Sequence, residues 1–142
     1  MNKILVTIAL VFISNLIYAQ SDDEQIRETL QYYFDGTSYN NIPLIKKAFY
    51  KEADLFLSNS KDSLWVSSVE AYANLFAKRE KGKFNGRTGK ILSIDIERDI
   101  AFAKIEIDSE KWPNRYVDLT LLKKIDGKWL IVAKTSTWHK KE

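Results

Sequence analysis

The chain has 142 residues, of which 45% are hydrophobic and 13% aromatic. This composition suits one domain with a single core and excludes a disordered polymer. Cysteine is absent, which excludes disulfides, thiolate metal sites, cysteine nucleophiles and the lipid-bearing cysteine of a bacterial lipoprotein. The formal net charge of +3 is small, so the overall charge does not favour nucleic acid or another charged polymer as a partner.

The first 19 residues have the pattern of a secretory signal peptide. Lys3 gives a cationic start, residues 4–17 form a mainly apolar run, and Ala19 precedes a polar sequence. The run is short for a membrane span and no basic residue follows it, although an uncleaved N-terminal anchor is the alternative. We expect cleavage after Ala19, which leaves a single domain of residues 20–142 that is periplasmic or secreted and has no stable membrane insertion.

Two helices are predicted at the start of this domain. Ser21 and Glu24 have the S-x-x-E spacing of a capping box, and apolar residues at helical spacing follow them, so a helix is predicted over about residues 22–35. Gly36 is placed to end it. Pro43 suits the first turn of a second, shorter helix. Both helices are expected to cover one face of a sheet.

A short hairpin and a third helix are predicted next. Leu55 and Leu57 alternate with polar residues before a turn at residues 59–62, and the chain returns through residues 64–66. Ser67 begins a second S-x-x-E motif, which predicts a third helix whose basic end runs towards Gly82.

A basic segment follows the third helix. Residues 78–90 hold six basic residues and one acidic residue. Basic residues at the end of a helix complement its dipole, and we interpret the segment as a solvated, mobile loop. A contact with phosphate or another anionic surface is the alternative.

The second half of the chain predicts four meandering strands. Residues 90–97 and 101–107 alternate apolar and polar side chains around a two-residue turn. This turn places Ile96 beside Ala101 and Leu92 beside Ile105.

The strongest hairpin signal is Asp126-Gly127, which suits a two-residue type I′ turn. A regular ladder from this turn predicts four cross-strand pairs, namely Ile125 with Lys128, Leu122 with Ile131, Thr120 with Ala133 and Asp118 with Thr135. Asp118 then shares a face with Tyr116, whereas Lys134 lies on the opposite, mostly apolar face. Since both faces carry apolar residues, we expect helices on one and a second subunit on part of the other.

The order of elements predicts the α+β class, and the chain resembles the nuclear transport factor 2-like superfamily and, within it, the exported "putative lumazine-binding" (SnoaL-like) family. The segments that carry the resemblance are residues 26–36, 47–54, 91–104, 117–122, 126–129 and 131–134. It implies a cone-shaped pocket, with three N-terminal helices packed on a strongly bent antiparallel sheet of about six strands. It implies no single activity, because the superfamily contains isomerases, dehydratases, polyketide cyclases and members without chemistry.

The resemblance also suggests where chemistry would occur. Enzymes of this superfamily commonly pair a buried carboxylate or histidine base with tyrosine donors. Asp118 is the candidate catalytic base, and Tyr116 or Tyr72 is the candidate donor. The alternative is that Asp118 is solvated, or is structural and accepts hydrogen bonds from Thr135 or Arg115.

Further side chains are candidates for binding a flat aromatic ligand at the pocket mouth. They are Tyr32, Asp35, Trp65, Tyr72, Trp112 and Thr135. The alternative is that the aromatic residues belong to the core and that Asp35 caps a loop.

No metal or cofactor is predicted. His139 is the single histidine and lies in a charged tail, which disfavours a histidine-based triad or metal site. Gly82, Gly86 and Gly89 are too widely spaced for a phosphate-binding loop.

Three hypotheses remain at this point. The preferred one is a non-catalytic exported domain that binds a small hydrophobic or aromatic ligand and forms a homodimer through a sheet face. The second is an isomerase, dehydratase or cyclase with Asp118 as base, and the third is a dimerising scaffold. An open cavity that touches a desolvated Asp118 favours the enzyme, an apolar cavity without a buried ionisable group favours binding, and a cavity plugged by aromatic side chains favours the scaffold. If the other sheet face looks inward, Lys134 replaces Asp118 as the charged group.

Overall fold

The computed structural model describes residues 20–58 and 63–141. Within these residues the helices are α1 (Asp22–Ser38), α2 (Ile42–Ala48) and α3 (Val69–Asn74), and the strands are β1 (Phe49–Ser58), β2 (Leu64–Ser68), β3 (Arg87–Glu97), β4 (Ile100–Ser109), β5 (Asn114–Ile125) and β6 (Lys128–Lys140). The predicted signal peptide and the predicted turn at residues 59–62 lie outside the described residues. No described helix is long and apolar enough to cross a membrane.

The six strands form one sheet in the order β2-β1-β6-β5-β4-β3. This confirms the α+β class, the first hairpin and the four-stranded meander. The prediction of a wholly antiparallel sheet is wrong, because β1 pairs with β6 in parallel. Alternation within each strand carries no information on this junction, since β1 and β6 are far apart in the sequence and no turn joins them.

The helix starts follow the capping residues. The backbone N–H of Ser21 donates to Glu24 Oε2 at 2.8 Å, and the Glu24 N–H donates to Ser21 Oγ at 3.2 Å, which confirms the first capping box. The third helix is capped by Ser68 rather than Ser67, since Ser68 Oγ accepts from the N–H of Ala71. It ends at Asn74, earlier than predicted.

Gly36 does not end α1, which continues to Ser38. A Cβ at Gly36 would lie 2.7 Å from the backbone nitrogen of Ile45 in α2. The glycine is therefore required by the close approach of the two helices. A helix terminus and a close helix contact both favour glycine, so the sequence alone could not distinguish them.

The core lies between the helices and the inner face of the sheet, and α1 is fixed to β6 by polar contacts. Thr29 Oγ1 donates to the carbonyl oxygen of Trp129 at 2.7 Å, and Trp129 Nε1 donates to Asp22 Oδ1 at 2.9 Å. The Trp129 side chain is 2% exposed. The inner face is the one that carries Asp118, as the site prediction assumed.

The C-terminal hairpin follows the predicted register only near its turn. Asp126 and Gly127 have φ values of 49° and 76°, as a type I′ turn requires. The predicted pairs of Ile125 with Lys128 and Leu122 with Ile131 are confirmed.

A β-bulge at Val132 shifts the register beyond this point. Thr120 pairs with Lys134 and Asp118 pairs with Ser136, so the predicted pairs of Thr120 with Ala133 and Asp118 with Thr135 are wrong. Because side chains alternate, the extra residue turns Lys134 to the inner face and Thr135 to the outer face.

A second bulge occurs in β3. Ile96 pairs with Ala101 as predicted, but Ile91 rather than Leu92 lies beside Ile105. Leu92 is the extra residue and is 41% exposed.

Candidate functional site

A cavity of about 500 Å³ opens at the inner face of the sheet, between the ends of β4, β5 and β6 and the β2–α3 region. Its lining includes Trp65, Tyr72, Arg87, Trp112, Tyr116, Asp118, Lys134 and Ser136. A cavity of about 560 Å³ on the outer face is slightly larger. Its charged lining residues, such as Lys104, are exposed or only partly buried, so the inner cavity is the better candidate for a specific site.

A buried ion pair forms part of the inner cavity's wall. Lys134 Nζ donates to Asp118 Oδ2 at 2.5 Å, and both side chains are 3% exposed. Tyr33 Oη also donates to Asp118 Oδ2 at 3.4 Å. This ion pair can form because the bulge at Val132 brings Lys134 to the sheet face that carries Asp118.

Two tyrosines and an arginine extend the pair into a polar network. The hydroxyls of Tyr33 and Tyr72 lie 3.0 Å apart. Arg87 Nη2 donates to both hydroxyl oxygens at 3.1 Å. Helices α1 and α3 supply the tyrosines and β3 supplies the arginine, so three separate segments converge on the strands that carry the ion pair.

The surroundings of this network shift the pKa values of Tyr33 and Arg87. Burial raises the pKa of Tyr33 well above its ordinary value, and Tyr72 raises it further, so Tyr33 stays a hydrogen-bond donor at neutral pH. Burial lowers the pKa of Arg87, but Tyr72, Tyr33 and Asp118 raise it by more. The guanidinium therefore stays charged beside the cavity.

Aromatic rings form the remaining wall of the cavity. The Trp112 and Tyr116 rings meet edge to face with centroids 5.8 Å apart, and the Arg87 Cζ atom lies 5.6 Å from the centre of the Trp112 ring. Trp65 on β2 is 46% exposed. These rings offer flat apolar surface for a ligand next to the charged groups.

The structure brings five of the predicted site residues to this cavity, namely Trp65, Tyr72, Trp112, Tyr116 and Asp118. The other three, Tyr32, Asp35 and Thr135, do not line it. Their placement follows from the helix faces and the sheet register.

Tyr32 and Asp35 lie on the outward part of α1. The Tyr32 hydroxyl donates to Glu28, and the ammonium of Lys47 lies 3.7 Å from the centre of the Tyr32 ring. Asp35 Oδ1 accepts from the Gln31 amide at 2.8 Å. Neither residue lines the cavity.

Thr135 lies on the outer sheet face and lines the cavity there together with His139. The predicted acceptance of a Thr135 hydrogen bond by Asp118 is therefore wrong, because the bulge separates the two side chains. The predicted bond from Arg115 is also absent among the described contacts, since Arg115 Nη1 donates to Glu106 at 2.6 Å.

Three residues of the network were missed from the sequence. Tyr33 was assigned to the apolar face of α1, with an aromatic lining of the pocket mouth as the alternative and no polar role, and Arg87 was assigned to a solvated basic loop. Lys134 was placed on the opposite face. The sequence carries no direct signal for Arg87. In the structure, β3 begins at this residue, and Gly89 packs so closely on Phe34 that a Cβ there would lie 2.1 Å from the ring.

Carboxylates and the histidine do not gather at one point in the described part of the chain. No group of three or more His, Cys, Asp or Glu residues among residues 20–58 and 63–141 is arranged to hold a metal ion.

Comparison with solved structures defines the class of protein. An NTF2-like protein of unknown function from Shewanella baltica OS155 is 24% identical, with a TM-score of 0.73 over 89% of this chain and 100% of that chain. An NTF2-like protein of unknown function from Methylobacillus flagellatus KT is 27% identical, with a TM-score of 0.70 over 83% of this chain and 92% of that chain. A ketosteroid isomerase-like protein from Erwinia carotovora atroseptica SCRI1043 is 15% identical, with a TM-score of 0.60 over 82% and 95% of the two chains. The fold is therefore of the nuclear transport factor 2-like class.

The family follows from the sequence of the domain. The model of the family described as "Putative lumazine-binding" matches residues 21–139, and the chain belongs to that family. No curated protein matches the chain.

Proposed function

We propose that this protein is an exported domain that binds one small organic molecule in the inner cavity. The observation that carries the proposal is the joining of aromatic surface to a fixed polar network within one cavity of about 500 Å³. Pockets of this size with mainly apolar walls and a few placed polar groups are typical of small-molecule sites. Export rests on the signal-peptide pattern of residues 1–19.

The lining supports a ligand with an aromatic or otherwise flat apolar body. The Trp112 and Tyr116 rings both line the cavity and pack edge to face on each other, and an aromatic ligand packs favourably against such rings. Tyr72 and Arg87 supply hydrogen-bond donors at the polar end of the cavity. The apolar end then contributes burial and the polar end fixes orientation.

Native mass spectrometry tests the proposal on protein purified without refolding. We expect a mass in excess of the mature chain that is released on denaturation and is identifiable in the released fraction. The variant Trp112→Ala should lose this mass, whereas Trp138→Ala, which removes a tryptophan that does not line the cavity, should retain it. A protein mass without adduct, together with no binding from the small-molecule extract of the producing cells, would contradict the proposal.

A second candidate is an acid–base enzyme of the isomerase, dehydratase or cyclase type with Asp118 as base. The observation in its favour is that the cavity touches a desolvated Asp118, as this hypothesis requires. The described hydrogen bonds use only Oδ2 of this carboxylate. Binding is preferred because proton uptake by Asp118 would leave the ammonium of Lys134 buried without its counterion.

Proton exchange separates the two candidates. An enzyme of this type should speed the exchange of α-protons of 3-cyclohexenone in D₂O, measured by NMR, and Asp118→Asn should abolish the acceleration. Exchange at the rate of buffer alone, over a series of small ketones, would contradict the enzyme. The third hypothesis, a scaffold without a ligand, receives less support because the described side chains leave the cavity open.

We also propose that two copies associate through the outer face of the sheet. Large apolar side chains on this face are 40–55% exposed, namely Leu92, Ile100, Phe102, Leu119 and Leu121. Charged residues of both signs border this apolar area, with Asp95, Glu97 and Lys123 at one end and Lys104 and the Arg115–Glu106 pair at the other. A two-fold axis would bury these apolar side chains of one copy against the same patch of its partner, which is the arrangement of an isologous interface.

Light scattering coupled to size-exclusion chromatography tests this association. The unmodified protein should elute as a dimer, and Leu119→Lys should shift it to a monomer without changing its circular dichroism. Lys81→Glu, an exposed substitution outside the sheet, should leave the dimer intact. If the unmodified protein is monomeric at about 100 μM, the proposal is contradicted, because an interface with a dissociation constant in the micromolar range would be assembled at that concentration.

A further inference from the structure

The charges that line the inner cavity do not cancel. Arg87 and Lys134 contribute two positive charges and Asp118 contributes one negative charge, and the other lining residues are uncharged. The cavity therefore carries an excess of one positive charge in a region of low dielectric constant, where an unbalanced charge acts strongly.

The excess charge is located on Arg87. Asp118 is paired with Lys134 at 2.5 Å, so the carboxylate is already occupied. Arg87 forms no salt bridge with the described residues. Its described hydrogen-bond partners are the neutral hydroxyls of Tyr33 and Tyr72.

Arg87 also has unused donors. Its Nε atom is buried and has no hydrogen-bond partner among the described residues. Because Nε is screened from solvent, the donors open to a ligand are those of the terminal guanidinium nitrogens, of which only Nη2 has described partners. A guanidinium with spare donors beside a cavity is suited to an added acceptor. The planar donor fork of arginine matches both carboxylates and phosphates. The single excess positive charge of this cavity balances a carboxylate rather than a phosphate monoester, which carries about −1.5 to −2 at neutral pH.

We infer that the ligand of this cavity is an organic carboxylate with an aromatic or flat apolar body, whose carboxylate pairs with Arg87 and whose body packs against Trp112 and Tyr116. This inference rests on the proposed binding function and adds the charge of the ligand. The Arg87 guanidinium lies 5.6 Å from the centre of the Trp112 ring, so the ionic and the apolar contacts fall within the length of one small molecule.

Matched acids and amides test the charge of the ligand without altering the protein. Three pairs of nearly equal shape serve as probes: benzoate and benzamide, phenylacetate and phenylacetamide, and indole-3-acetate and indole-3-acetamide. Dissociation constants are measured by isothermal titration calorimetry at pH 7. For at least one pair we expect the acid to bind about tenfold or more tightly than the amide, the size expected for a charge-assisted hydrogen bond that the amide lacks.

Variants assign the preference to Arg87. The ratio of the two dissociation constants should fall to about one in Arg87→Gln and should be partly kept in Arg87→Lys, which keeps the charge but not the fork. Arg79→Gln, which removes an exposed arginine from the same basic segment, should behave as the unmodified protein. Thermal unfolding of each variant shows whether it is folded.

The outcomes separate this inference from the proposed function. If acid and amide bind equally, or if the amide binds more tightly in every pair, the inference of an anionic ligand is overturned and the binding pocket stands. The inference of an anionic ligand is also overturned if none of the six compounds binds at millimolar concentration and the adduct of the native protein is a neutral molecule. If no compound binds and the native protein carries no adduct, both the anionic ligand and the proposed binding function are contradicted.

Discussion

The buried pair of Asp118 and Lys134 gives the sharpest prediction for stability. Both side chains are 3% exposed and their charged atoms lie 2.5 Å apart. Removing one partner leaves the other charge buried without a counterion, which costs about 3–5 kcal/mol. Lys134→Met and Asp118→Leu should therefore each lower the free energy of unfolding by about 3 kcal/mol or more, a large part of the ~5–15 kcal/mol of a typical domain.

The double variant Asp118→Leu with Lys134→Met should recover most of that loss. Replacing a buried ion pair by apolar side chains of similar volume is close to neutral, so we expect a net change within about 1 kcal/mol of the unmodified protein. The coupling free energy between the two sites should then exceed about 3 kcal/mol, more than most neighbouring pairs show.

Urea unfolding followed by circular dichroism measures these values. The m value should stay constant, so that the change in midpoint reports stability. Lys83→Met is the matched control, because Lys83 pairs with Glu80 at 3.2 Å but the two side chains are 71% and 74% exposed, and its cost should stay below about 1 kcal/mol. Single variants that cost no more than this control, or a double variant that equals the sum of the singles, would refute the reasoning.

Two further predictions concern the packing and the pH dependence of the fold. Gly89→Ala places a Cβ 2.1 Å from the Phe34 ring and should lower the free energy of unfolding, measured in urea, by about 1–3 kcal/mol. The control Ser93→Ala, at an exposed position of β3, should change this free energy by less than ~0.5 kcal/mol. Equal effects of the two variants would contradict the close packing. Hydrogen bonds from Lys124 and Trp129 lower the pKa of Asp22 from its ordinary value near 3.8, so its stabilisation is complete above the unfolded pKa and is lost as the pH falls through the lower folded pKa. The stability difference between the unmodified protein and Asp22→Asn should be constant above about pH 5 and shrink below about pH 4, and a difference that grows in acid would contradict it.

Local signals in the sequence predicted most helices and strands, but not how distant strands pair in the sheet. The capping box at Ser21 and the Asp126-Gly127 turn act within a few residues, and both are present as predicted. The parallel contact of β1 with β6 depends on how distant segments pack. Alternation and turn motifs carry no information on contacts between distant segments. The prediction of a wholly antiparallel sheet could therefore not be corrected from the sequence.

The site was predictable in its aromatic part and not in its charged part. Trp112 and Tyr116 were expected at the pocket and line it, and aromatic side chains commonly line ligand pockets. Lys134 was assigned to the wrong face since one extra residue at Val132 reverses the alternation. A bulge has no reliable sequence signature in a strand of β-branched residues. Arg87 was missed because its neighbours in the sequence are solvated lysines, whereas its neighbours in space are Tyr33 and Tyr72.

The most direct measurement of ligand binding uses the tryptophan indole N–H groups. Protein labelled with ¹⁵N-tryptophan, freed of any adduct by refolding, is mixed with the deproteinised small-molecule extract of the producing cells, and the indole resonances are recorded by NMR. Trp65 and Trp112 line the cavity, whereas the Trp129 indole is 2% exposed and donates to Asp22. Binding in the inner cavity predicts shifts of the Trp65 and Trp112 resonances with Trp129 unchanged. No shift, or a shift confined to Trp129, would contradict the inner cavity as the binding site.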